Sequence, residues 1–144
     1  MKKIFALLTS VVFTMTACAD TDQLISYTNL PVKAQAFIEK YFNASDVVRV
    51  ERERDGRDYD YNVTLKNTTE IDFDHLGNLE SIDCRIYAVP EGIVPELIVH
   101  YTTLHYPDSF IVEYTIDYRR LKVELSNGQE LIFDLEGNYL GIDD

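Results

Sequence analysis

Glu70-Ile71-Asp72-Phe73-Asp74-His75-Leu76-Gly77-Asn78-Leu79-Glu80-Ser81-Ile82-Asp83 and Glu130-Leu131-Ile132-Phe133-Asp134-Leu135-Glu136-Gly137-Asn138-Tyr139-Leu140-Gly141-Ile142-Asp143 agree at seven of fourteen positions. Each reads as a strand, an Asp-x-x-Gly-Asn turn in which Gly supplies a positive φ, and a returning strand. Similarity at a fixed spacing points to a duplicated unit. The offset of 60 also relates Leu65-Lys66-Asn67 to Leu125-Ser126-Asn127. Further upstream the offset is 64, aligning Pro31 with Pro95, Phe37 with Tyr101, Tyr41 with His105, Phe42 with Tyr106, Ser45 with Ser109 and Val48 with Val112. The turn-rich Asp55-Gly56-Arg57-Asp58 absorbs the difference by lengthening one hairpin.

Each unit begins with a helix. Ala34, Phe37, Ile38 and Tyr41 form one stripe at i, i+3, i+4 and i+7, and Leu97, Tyr101 and Leu104 supply the matching stripe in the second unit. Pro31 and Pro95 start the two helices, and Pro107 stops the second. Strands follow. Phe110, Val112, Tyr114, Ile116 and Tyr118 alternate with Glu113, Thr115, Asp117 and Arg119; Tyr59, Tyr61, Val63 and Leu65 alternate with Asp60, Asn62, Thr64 and Lys66. Leu121, Val123 and Leu125 alternate with Lys122, Glu124 and Ser126, ahead of an Asn127-Gly128 turn. Period-two patterning marks antiparallel strands with one dry and one wet face. The predicted fold class is α+β: a tandem repeat of a helix plus a four-stranded antiparallel sheet, helices on one face and the other face open.

Met1-Lys2-Lys3, the apolar run Ile4 to Met15 and the small residues Thr16-Ala17-Cys18-Ala19 form the three parts of a bacterial export signal. Ala17-Cys18-Ala19 fits cleavage before Asp20, whereas Met15-Thr16-Ala17-Cys18 resembles a lipoprotein box that would make Cys18 the lipidated first residue. Met15 departs from the usual Leu of that box, while the polar, acidic stretch after Cys18 suits a tether. The expected organisation is therefore a signal at 1–19, a tether at 20–29, one unit at 30–85, a linker at 86–93 and a second unit at 94–144. Export excludes a cytoplasmic role, and Cys84, the cysteine left beside Cys18, reads as a buried small hydrophobe with no disulfide partner.

The signal, the tandem units and the Phe-Asp-x-x-Gly-Asn hairpins together resemble the PepSY-like, β-lactamase-inhibitor-like exported proteins common in Bacteroidetes, over about Leu30 to Asp143. The resemblance implies that the two sheets join into one curved sheet. It also implies an exported protein of the periplasm or the lipid-anchored envelope, and suggests binding or inhibition of peptidases. The disulfides of the β-lactamase inhibitor proper have no cysteines here, so its inhibitory loops do not carry over.

Charge narrows the function classes. The chain carries 25 acidic and 13 basic residues, a net of −12; without residues 1–19 it has 11 cations against 25 acids, or −14. Nucleic acids and anionic membrane surfaces are poor partners for such a chain, and only a lipid on Cys18 would bring it to a membrane. Histidines 75, 100 and 105 accompany no nucleophile with an orienting group, and no phosphate loop or zinc spacing occurs. His105, on the apolar stripe, is expected half-buried. No cofactor, metal or catalytic residue is expected. Asp72 to Asp83 offers Asp at positions one and three and Gly at six of a calcium loop, but places Leu76 at five and Asp83 where a bidentate Glu belongs. A calcium-binding role therefore ranks last.

The open sheet face is the remaining candidate. Its polar members are Arg49, Glu51, Glu53, Asp60, Asp72, Glu113, Asp117, Lys122 and Glu124, with Leu79, Ile132 and Tyr139 as apolar anchors. Such a surface suits an unidentified protein or peptide of basic character. The expectation is a non-enzymatic binding module, with inhibition of a peptidase or other envelope enzyme through the Asp55–Asp58 hairpin as the alternative.

Overall fold

A computed structural model describes residues 22–143; the export signal, Cys18 and the start of the tether lie outside the described residues. The strands are β1 (Gln23–Leu24), β2 (Val47–Asp55), β3 (Asp58–Leu65), β4 (Glu70–Phe73), β5 (Leu79–Asp83), β6 (Ile111–Ile116), β7 (Leu121–Leu125), β8 (Glu130–Phe133) and β9 (Tyr139–Ile142). Helix α1 (Val32–Tyr41) precedes β2 and helix α2 (Glu96–His105) precedes β6. All nine strands form one antiparallel sheet in chain order. The fold is α+β with two helices and an open sheet. The ninth strand comes from the expected tether, where Gln23 and Leu24 pair with Arg52 and Glu51.

Both helices start after a proline whose ψ of 140° (Pro31) or 139° (Pro95) sets the entry into the first turn. Both end where the next residue, Phe42 or Tyr106, donates its N–H to a carbonyl four residues back at 2.8 Å. On α1 the expected stripe holds: Ala34 and Ile38 are fully buried, and Phe37 meets Phe73 edge-on at 5.5 Å. Tyr41 packs against Phe37 with the rings tilted at 52° and donates from its hydroxyl to the Gly92 carbonyl, tying α1 to the linker.

On α2 the expected stripe is wrong. Leu97 and Leu104 are exposed at 59% and 65%, while Ile98 and Thr102 are buried. The inward positions of α1 recur on α2 as Ile98, Tyr101, Thr102 and His105, so Leu97 and Leu104 stand where α1 has Lys33 and Lys40. His105 is exposed rather than half-buried, with its ring 4.3 Å from that of Tyr101.

The core is continuous across the sheet. Val63, Ile71, Phe73 and Ile82 from the first half, and Val123, Leu125, Leu131 and Phe133 from the second, are all fully buried beneath the helices. Each such side chain contributes about 1.5–3 kcal/mol relative to exposure. The alternation fails in β6, where Ile111 and Val112 are both buried at a register shift. Phe110 is consequently part-exposed, Ile116 at the strand end is 38% exposed, and Tyr118 beyond it is 96% exposed.

Candidate functional site

The open face is organised in transverse rows, because each strand sets a residue directly opposite its neighbour's. One row runs Arg49, Thr64, Glu70, Asp83, Glu113, Glu124, Glu130 from β2 to β8. Five consecutive strands thus place carboxylates side by side, an arrangement that disfavours the sheet because like charges directly opposite repel. Arg85, just after β5, relieves one end by reaching Glu70 at 2.9 Å and Asp83 at 2.7 Å. Lys122 relieves the other, 3.6 Å from both Glu130 and Asp143. Glu113 and Glu124 lie between them. Burial, then Asp83 and Glu124, hold the Glu113 carboxyl above the usual glutamate range.

The next row runs Glu51, Asn62, Asp72, Ser81, Thr115, Lys122, Ile132. Asp72 accepts from the Asn62 amide and from the Ser81 hydroxyl, both at 2.7 Å, so its carboxylate is fixed by neutral donors. Glu51 is paired with Arg49. Glu53 and Asp60 stand opposite each other one step further along β2 and β3.

Over these rows lies a cleft of about 730 Å³ whose ionisable lining is Asp22, Glu51, Glu53, Asp60, Glu70, Asp72, Glu80 and Asp117, together with Tyr61 and Tyr118. The lining holds no cation. A hollow of about 520 Å³ adjoins it at the hairpin end, shares Asp60, Glu80, Ile116, Asp117 and Tyr118, and adds Asp55, Asp58, Asp74 and His75. The two form one acidic trough. Burial, then Asp55 and Asp74, raise the Asp60 carboxyl; burial, then Asp60, Asp74 and Asp72, raise that of Glu80. Burial leads both shifts, and the neighbouring carboxylates add to it.

Asp74 behaves differently. Burial pushes its carboxyl up, but the Asn78 side chain and the backbone N–H groups of Asn78 and Leu76 outweigh that and hold it below the usual aspartate range. Both carboxylate oxygens are engaged in closing the turn, so the calcium-loop pattern of Asp72 to Asp83 is a β-hairpin. Among the described residues no three His, Cys, Asp or Glu side chains are grouped to hold a metal ion.

Of the sequence-derived candidates, Glu51, Glu53, Asp60, Asp72 and Asp117 line the main cleft. Arg49, Glu113, Lys122, Glu124 and Ile132 stand in the rows beside it. Leu79 and Tyr139 depart from the open face: Leu79 packs against the core while bordering the hollow, and Tyr139 stacks on Tyr101 of α2 at 4.4 Å. The cause is a register shift in both hairpins, where Phe73 pairs with Leu79 and Phe133 with Tyr139. The same bulge makes Glu80, absent from the sequence-derived set, a cleft residue. The three-residue spacing of Leu79 from Ile82, which a uniform strand cannot bury on one face, was the available signal. Thr115, read from the alternation as a wet-face residue, lines the cleft too, and Tyr118 and Asp22 do so without having been anticipated.

A family model described as "Putative beta-lactamase-inhibitor-like, PepSY-like" matches residues 14–63 and 59–140. Among solved structures, a protein of Bacteroides thetaiotaomicron described as a "putative calcium-regulated periplasmic protein" is 38% identical, with a TM-score of 0.82, covering 88% of this chain and 99% of that one. A periplasmic protein of the DUF2874 family from Bacteroides vulgatus is 35% identical, with the same TM-score and coverage. A second B. vulgatus periplasmic protein, described as of unknown function, is 28% identical with a TM-score of 0.81, covering 86% of this chain and all of that one. Among curated proteins none matches the chain.

Proposed function

The chain belongs to the PepSY-like, beta-lactamase-inhibitor-like family, and from that premise we propose that it is a non-enzymatic periplasmic binding protein whose acidic trough takes a basic peptide or a basic segment of another protein. Its structural relatives are described as periplasmic, which supports an exported location; lipidation of Cys18 is part of this proposal, and mass spectrometry of the mature N-terminus tests it. We read the chain as two copies of a helix followed by four strands, joined edge to edge at β5 and β6.

One observation carries the binding proposal. Eight carboxylates line the cleft with no cation among them, although folding alone would favour mixed signs on a solvated sheet face. Lys or Arg side chains entering such a field gain Coulomb energy and remove the repulsion together. The test is capture of partners from a periplasmic fraction by the wild type and by Glu53→Lys, Asp60→Lys and Glu80→Lys, combined with titration of an oligolysine peptide. Expected is salt-sensitive binding weakened at least tenfold in the combined variant. Identical partners and affinity after charge reversal would overturn the reading.

A second reading, inhibition of an envelope peptidase, rests on the β2–β3 hairpin. Only residues 61–64 of β3 pair with β4, so the segment from Glu53 to Asp60 projects past its neighbours. A projecting two-stranded finger is the form of element that inserts into a partner's groove. Deleting Asp55 to Asp58 should abolish inhibition across a peptidase panel. A calcium arm belongs in the same titrations because of the B. thetaiotaomicron relative's description, and heat on adding calcium alone would favour it over a basic partner.

A further inference from the structure

The sheet ends differently at its two sides. At one side β1 is two residues long and the adjoining β2 carries Arg52 and Arg54, with Arg52 bound to Gln23. Charge and brevity blunt that edge. At the other side β9 offers Tyr139, Leu140, Gly141 and Ile142, without a charge or a proline.

Position by position, the second half has exchanged polar groups for leucine along this flank. Lys33 of α1 corresponds to Leu97 of α2, and Lys40 to Leu104; His75 of the first Asp-x-x-Gly-Asn hairpin corresponds to Leu135, and Glu80 to Leu140. All four leucines are more than half exposed. Tyr101, between Leu97 and Leu104 on α2, stacks on Tyr139 of β9, and Gly137 of the turn bearing Leu135 lies against Leu97, while Leu140 follows Tyr139 on the edge strand itself. Two of the four move an apolar side chain by one position, since Val32-Lys33 becomes Glu96-Leu97 and His75-Leu76 becomes Leu135-Glu136, while Lys40 to Leu104 and Glu80 to Leu140 add apolar surface outright.

We propose that this flank is a symmetric interface with a second copy of the chain, built by antiparallel pairing of β9 with β9. Antiparallel pairing about a two-fold brings Tyr139, Leu140 and Ile142 of one copy beside those of the other, matches apolar with apolar and uses the free backbone groups of the edge. Tyr139, Leu140 and Ile142 with Leu97, Leu104 and Leu135 are 37–65% exposed. They offer on the order of 500 Å² per copy, so a pair buries roughly 1,000 Å², the size at which specific interfaces begin. Head-to-tail pairing with β1 and β2 would instead set this edge against Arg52 and Arg54, and would not close.

Sedimentation equilibrium on the chain from Asp20 onward, which contains the whole core, tests this. The wild type should be a dimer, and Leu97→Lys, Leu104→Lys and Leu140→Glu together should raise its dissociation constant at least tenfold with an unchanged circular dichroism spectrum. If the triple variant misfolds, Leu104→Lys, the most exposed of the four, should weaken the dimer by itself. A wild-type monomer at high micromolar concentration, polymers growing with concentration, or a dimer indifferent to these substitutions would each overturn the proposal.

Discussion

The hairpins of β4–β5 and β8–β9 make the same turn and sit in different surroundings. Asp74 binds the Leu76 N–H, the Asn78 N–H and the Asn78 amide at 2.9, 2.8 and 2.9 Å; Asp134 binds the equivalent groups of Glu136 and Asn138 at 2.9, 2.8 and 3.0 Å. Identical residues thus give identical backbone. Yet Ile82 is fully buried and Ile142 is 47% exposed, because β5 is flanked by β6 while β9 has no further strand beside it among the described residues. On the open face the halves diverge further: Asp60, Asp72 and Glu80 correspond to Arg120, Ile132 and Leu140. Residues that close turns and fill the core are held in common, while residues that meet the outside have separated into an acidic surface and an apolar flank.

That contrast can be broken by paired substitutions. The largest difference should come from Ile82→Ala against Ile142→Ala. The first empties a fully packed site and should cost about 2–5 kcal/mol, the second less than about 1 kcal/mol, measured by urea unfolding at concentrations where the chain is monomeric. Equal losses would mean that β9 is as well covered as β5. Gly77→Ala and Gly137→Ala should differ less. Both glycines have positive φ, 83° and 91°, but a Cβ at Gly77 would lie 2.8 Å from the Pro31 Cβ and 2.9 Å from the Ala34 backbone nitrogen. At Gly137 the tightest contact would be 3.1 Å to the Leu97 Cβ, so helix α2 need give by only a few tenths of an ångström. We expect about 2–3 kcal/mol for the first and about 1 kcal/mol for the second.

The smallest effect should be in pH dependence, where the trough and the turns have opposite signs. Asp60, Glu80 and Glu113 have folded-state values above their unfolded ones, so their cost is absent below the unfolded values and develops as pH rises through the folded ones. Asp74 and Asp134 are lowered, so their contribution is present above the unfolded aspartate value and is lost as pH falls through the folded ones. The melting temperature should therefore rise as pH is lowered toward the ordinary carboxylate range and fall once pH drops below that range. Glu80→Gln and Glu113→Gln should each flatten the rise. A melting temperature that declines steadily from pH 7 would contradict this assignment.

The fold was legible wherever a residue's role is local. Pro31 and Pro95, the Asp-x-x-Gly-Asn turns, Asn127-Gly128, and the alternation of Tyr61, Val63 and Leu65 each specify their own backbone, and their order gives helices and antiparallel strands. What escaped were shifts of phase. The bulges opposite Phe73 and Phe133 reverse which face Leu79, Glu80 and Tyr139 occupy, and the one at Val112 buries two successive residues of β6. A helical stripe through Leu97 and Leu104 satisfied the periodicity as well as the true one through Ile98 and Thr102, because α2 is apolar on more than one side. Strand β1 was invisible, since two residues carry no period. The acidic character of the open face could be read directly, whereas its concentration into a cleft depends on how nine strands twist together.

The central claim is that the trough on the open face recognises positive charge on a partner. Titrating a lysine-rich peptide into the isotopically labelled chain while recording amide chemical shifts tests it most directly. Saturable, salt-sensitive shifts centred on Glu53, Asp60, Glu80 and Asp117 are expected, abolished by Glu80→Lys combined with Asp60→Lys. Shifts confined to the helix side, or none at low salt, would contradict it.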